Sequence, residues 1–84
     1  MTQTIIDKLE RADGPDNALD VLVEVALFQP SEIWPKCRAN AAGTKVIYTN
    51  NWGADFTNWP RDWTMLPLKT EALTALRARS QGGE

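Results

Sequence analysis

The chain has 84 residues, nine basic and eleven acidic side chains, a formal charge of −2, one cysteine and no histidine. That length holds one compact domain, which buries roughly 60–65% of its unfolded surface. A lone cysteine excludes an internal disulfide and a thiolate zinc cage, the absence of histidine removes the commonest general base and metal ligand, and the lack of a strongly basic segment speaks against duplex DNA as a partner.

The first segment, TIIDKLER at 4–11, places Ile5, Ile6 and Leu9 on one helical face, with Thr2 or Thr4 as cap. Around it, MTQTIIDKLERADG lacks the basic-then-apolar order of a secretion signal. Asp13-Gly14-Pro15 marks a turn, with Pro15 suited to a first helical turn. The clearest helix is DNALDVLVEVALF at 16–28, where Leu19, Leu22, Val23, Ala26 and Leu27 repeat at helical spacing. Val21, Val25 and Phe28 widen its apolar arc, so burial on more than one side is expected. Gln29-Pro30 ends it.

Residues 31–38 read as an edge strand or a loop, Pro35 arguing against a central strand. Ala41-Ala42-Gly43 reads as a turn, and TKVIY at 44–48 as a strand. Thr49 or Asn50 is expected to cap a helix over 51–58, with Trp52, Asp55, Phe56 and Trp59 on one face and Trp59-Pro60 as its stop. DWTML at 62–66 reads as a further strand. Thr70 is expected to cap a last helix over 71–79, with Leu73 and Leu76 inward and Arg77 and Arg79 near its C-terminus. The remainder, 79–84, reads as a frayed tail. The fold class expected is α+β: one helix-sheet-helix sandwich over 1–84 with a two- or three-stranded sheet. No apolar run approaches the ~20 residues of a membrane span, so a soluble, cytoplasmic protein is expected.

The segment YTNNWGADFTNWPRDW at 48–63 concentrates the recognition chemistry. It holds three of the four tryptophans and the only tyrosine. Tyr48, Trp52, Trp59 and Trp63 can stack a base or an adenine ring, Arg61 can reach phosphates, and Asn50, Asn51 or Asn58 can read polar edges. The alternative is that these aromatics are core, since large aromatics enlarge a small interior efficiently. Four indoles are hard to hide in so short a chain, so at least one is expected at a pocket or an interface. Asp55 and Asp62 as a carboxylate pair stand against ordinary caps and turns. Cys37 lacks a histidine partner and reads as a small packed thiol between Lys36 and Arg38. No glycine-rich phosphate loop, metal signature or catalytic motif is present, so catalysis is not expected and no cofactor is assigned.

Three segments carry a family resemblance. ALDVLVEVALF at 18–28 is similar to a helix of the form ELDxxIAxAL, YTNNWGADFTNWPRDW at 48–63 resembles the pattern YTxSxDAAxxLxPxGW, and EALTALRAR at 71–79 resembles a closing alanine- and leucine-rich helix. These are the marks of the phage ABA-sandwich family, small proteins of unknown function encoded by bacteriophages and prophages. The chain departs from the pattern at Trp52-Gly53 and Asn58-Trp59-Pro60-Arg61. The resemblance implies a phage origin and a helix-sheet-helix fold, and supplies no activity.

Small phage proteins often act stoichiometrically on host defences, an association the resemblance brings with it. The first functional expectation is therefore a sponge: a homo-oligomer holding a nucleotide-derived immune signal, such as a cyclic nucleotide or an ADP-ribose derivative, at Tyr48, Asn50, Asn51, Trp52, Trp59, Arg61 and Trp63. The alternative is an inhibitor of the anti-CRISPR type that docks the same tryptophan-rich surface on a host defence protein. A third reading is a structural or assembly accessory of the phage.

Overall fold

A computed structural model of the chain describes residues 2–81. Three helices, α1 (Thr2–Arg11), α2 (Asn17–Leu27) and α3 (Leu68–Gln81), accompany three strands, β1 (Lys36–Ala39), β2 (Val46–Thr49) and β3 (Asp55–Asn58). The strands form one antiparallel sheet in the order β1-β2-β3. The α+β class is as expected, with helices before and after a three-stranded sheet.

The amphipathic pattern of α2 makes it the central element. One side meets α1 and α3, and the buried cluster there is Ile6, Leu9, Leu19, Val23, Ala72 and Leu76. The other side lies on β1 and β2, and Val21 and Val46 are buried as well. Asp16 is its N-cap, with Oδ1 accepting from Leu19 N at 3.0 Å. Pro15 consequently precedes the cap instead of opening the first turn. The C-terminal carbonyls of α2 are closed from a distance: the Arg79 guanidinium on α3 donates to Ala26 O, and to Leu27 O at 2.9 Å. A cation at this end also complements the helix dipole.

Three expected elements are corrected. Residues 51–58 are not a helix. Gly53 takes φ 82°, the chain reverses, and 55–58 pair with β2 in the register Thr49↔Asp55, Tyr48↔Phe56, Ile47↔Thr57 and Val46↔Asn58. The strand 62–66 is absent, because this segment's backbone is claimed by α2: Thr64 N donates to Asp20 Oδ1 at 2.8 Å and Arg61 N to Glu24 Oε1 at 3.2 Å. The last helix begins at Leu68, so Thr70 lies inside its first turn and is not the cap. It also continues through Ser80 and Gln81; the rest of the expected tail, 82–84, lies outside the described residues.

Candidate functional site

Two hairpin turns position the sheet's side chains, and both are built the same way. In the first, Gly43 N donates to Asn40 O at 3.1 Å, Gly43 takes φ 72°, and Asn40 Oδ1 accepts from Thr44 N and Lys45 N at 2.9 and 3.1 Å. In the second, Gly53 N donates to Asn50 O at 3.1 Å, and Asn50 Oδ1 accepts from Trp52 N and Ala54 N, both at 2.9 Å. Asparagine suits the first position because its side chain bonds backbone N–H groups ahead of it, and glycine the fourth because only it tolerates positive φ cheaply. The Oδ1 of Asn50, a residue expected to read a ligand, is therefore taken by its own turn.

The second turn presents Trp52 at its tip, 87% exposed. Its backbone is tied to the segment before β1, since Asn51 N donates to Ile33 O at 2.8 Å. That segment is a closed turn, in which Ser31 N donates to Trp34 O and Trp34 N to Ser31 Oγ, each at 3.0 Å. Trp34 is thereby held edge-on to Phe56, with ring centroids 5.4 Å apart, and edge-on to Tyr48 at 6.4 Å. Phe28 completes the row at 6.0 Å from Tyr48.

The product is an open groove. Ile33, Trp34, Asn50, Asn51, Trp52, Phe56 and Asn58 line a section of about 590 Å³. It continues past Trp34 to Phe28, Gln29, Ser31 and Tyr48. The volume is that of a side-chain or small-molecule site. Among the described residues no charged side chain lines either section. β3 is exposed at all four positions, so this side of it is left open while α2 covers β1 and β2.

The seven expected site residues divide. Asn50, Asn51, Trp52 and Tyr48 line the groove. Trp59 does not, because a strand alternates where a helix would not: Phe56 and Asn58 face the groove, while Asp55, Thr57 and, by continuation, Trp59 face the other side. There Lys45 Nζ lies over the Trp59 ring, 4.6 Å from its centroid. Arg61 and Trp63 are also placed elsewhere. Glu24 Oε1 accepts from Trp63 Nε1 at 2.9 Å and from Arg61 N, and Glu24 Oε2 accepts from Tyr48 Oη at 3.1 Å. Trp63 packs against the helical core, and the Arg61 guanidinium stands over its ring at 5.9 Å. The Trp63 indole and the Tyr48 hydroxyl are thus structural, as a buried N–H or O–H needs a partner.

Electrostatics agree with that division. Burial, and then the Glu24 carboxylate, hold the Tyr48 hydroxyl well above its usual range. The same two causes push the Cys37 thiol up to about 11, so at neutral pH it is a neutral packed thiol and a poor nucleophile. Asp20 is raised by burial, against the lowering effect of its Thr64 hydrogen bonds. On the open outer face, Asp55 accepts from Thr49 Oγ1 at 2.7 Å and from Arg38 at 3.0 Å, and both hold its carboxyl below the usual range. Asp55 and Asp62 do not form a pair: Asp55 is bound to Arg38 and Thr49, and Asp62 O caps the Met65 N turn.

Sequence reasoning missed Trp34, which walls both sections of the groove. Its signal is the Ser31-x-x-Trp34-Pro35 order, a turn followed by a proline that fixes the chain before β1. It also missed Asp16, Asp20 and Glu24, whose spacing of four lays carboxylates along one stripe of α2.

Among the described residues no group of three acidic or thiol side chains could hold a metal ion, and no helix is long and apolar enough to cross a membrane. Comparison with protein-family models, with curated proteins and with solved structures finds no match to this chain.

Proposed function

We propose that the chain is a phage-encoded binding protein, not an enzyme, that docks the Trp34–Trp52–Phe56 groove on an apolar segment of a host defence protein in the cytoplasm of the infected cell. The observation that carries this reading is an uncharged aromatic groove with Trp52 held out on a hydrogen-bonded turn. Tryptophan is among the side chains that dominate the energetics of protein interfaces, and here it stands exposed beside an apolar groove. A polyanionic nucleotide fits it less well, because the expected phosphate-binding residue, Arg61, lies beyond Tyr48 against Trp63.

A sponge remains the second reading, favoured by one feature. Trp34 and Trp52 offer two ring faces, and Asn51 and Asn58 offer amides beside them. A base could enter while its phosphates stay in water.

A display selection of random peptides on the immobilised protein separates the two. The docking reading expects enriched sequences rich in aromatic and aliphatic residues, whose binding Trp34→Ala and Trp52→Ala remove. It is overturned if no sequence is enriched while a thermal-shift panel of cyclic oligonucleotides and ADP-ribose derivatives stabilises the protein. A ligand at ~100 times its Kd adds about 2.7 kcal/mol, a shift of many degrees for a domain this small.

A further inference from the structure

We propose that β3 is a dimerisation edge: it pairs antiparallel with β3 of a second copy of this chain, joining two sheets into one of six strands.

The two edges of the sheet differ in how they are guarded. β1 follows Pro35 and opens on Lys36, and proline and lysine are residues that keep free edges from pairing. β3 reads Asp-Phe-Thr-Asn, with its one charge already bound by Arg38. Among the described elements only β2 packs against it, and its four residues are exposed.

The backbone direction follows from the turn. Asn50 N donates to Ala54 O at 2.9 Å, which makes 50 and 54 a hydrogen-bonded pair. Such pairs alternate along an antiparallel ladder. Phe56 and Asn58 therefore spend their backbone groups on β2, while Asp55 and Thr57 turn theirs to the free edge.

Self-pairing about a two-fold axis normal to the sheet keeps the groove sides of both copies together, so only every second register is allowed. The register that opposes Asp55 to Asp55 of the second copy sets like charges against each other. One step on, Phe56 faces Phe56 of the second copy in a non-hydrogen-bonded pair, where side chains come closest, and Asp55 faces Thr57. Continuing that register brings Trp59 level with Gly53 of the second copy. Gly53 has open space where a Cβ would stand, and Trp59 is 67% exposed. Edge pairing thus covers Phe56 and Trp59 together, although they lie on opposite sides of β3. It also sets the two grooves side by side across the axis.

Sedimentation equilibrium of the full chain, from micromolar to about 1 mM, tests this. The expected result is a dimer of twice the chain mass. Thr57→Pro removes an N–H that points to the free edge and spares the β2–β3 ladder, so it should return the protein to monomer with its circular dichroism unchanged. Phe56→Lys, at a half-exposed position, sets two like charges opposite each other and should do the same even if the proline variant fails to fold. Trp52→Ala should leave the dimer intact. A wild-type monomer at about 1 mM, or a dimer that persists in folded Phe56→Lys, overturns the proposal.

Discussion

The turn at 40–43 and the turn at 50–53 share one design and differ in what they carry. Each opens on an asparagine whose Oδ1 accepts two backbone N–H groups, and each reaches a glycine of positive φ three residues later. The third residue is Ala42 in one and Trp52 in the other. The geometry needs neither, so an indole exposed at 87% has no explanation in the turn itself. The first turn carries a methyl group at that position, and the second uses the same scaffold to hold an indole out in solvent.

The largest expected effect tests that contrast directly. Trp52→Ala should weaken partner binding by about 2 kcal/mol or more, roughly 30-fold, as for a buried aromatic anchor. Stability should stay within about 0.5 kcal/mol, as for most surface substitutions. Ala42→Trp should alter neither, and titration calorimetry with denaturant melts would show it. A large stability loss in Trp52→Ala would make the indole structural and remove the contrast.

Next come the asparagines. Asn40→Ala forfeits three side-chain hydrogen bonds and Asn50→Ala two, and each should cost about 1–2 kcal/mol in urea unfolding. The comparison predicts similar losses; a Asn50→Ala loss far above that of Asn40→Ala would show that the second turn carries a load of its own. Gly43→Ala and Gly53→Ala should each cost about 1 kcal/mol, because both force a Cβ into the left-handed region.

The smallest effect concerns the base of the second hairpin, where Asp55 binds Thr49 and Arg38. Its folded pKa lies below the unfolded value of 3.8, so its contribution is complete above that value and fades as pH falls through the lower one. Asp20 acts oppositely: its raised pKa favours the folded state at low pH and withdraws that contribution as pH rises past 3.8 through the raised value. Asp55→Asn should flatten the acid limb of the stability–pH curve, while Asp20→Asn should raise stability at neutral pH relative to acid. Thermal melts between pH 2 and 7 distinguish the two signs.

These contrasts also explain what the sequence disclosed. The α2 pattern was legible because apolar spacing records burial on a continuous element. The Val46–Thr49 strand was legible from its β-branched residues to within two positions. The segment 51–58 was misread because Trp52, Asp55, Phe56 and Trp59 satisfy helical spacing by coincidence. The deciding residue is Gly53, whose positive φ reverses the chain within the turn that the Asn50 side chain closes. Trp52 and Asn51 lie in the groove lining, whereas the Trp63 indole, the Arg61 backbone and the Tyr48 hydroxyl are drawn away by Glu24. A carboxylate four residues from Asp20 and eight from Asp16 looks like solvated helix surface until the chain 37 residues later folds back on it.

The two carboxylates of α2 and its last carbonyls have a consequence for synthesis. Asp20 waits for Thr64, Glu24 for Trp63, and the Ala26 and Leu27 carbonyls for Arg79. A nascent chain that has emerged only to residue 60 has α1, α2 and the sheet available, yet the central helix still lacks every one of these partners. The domain therefore completes only once residues 61–79 have joined it. Amide exchange on chains arrested at residue 60 should find α2 unprotected, and protection should appear only once α3 is free.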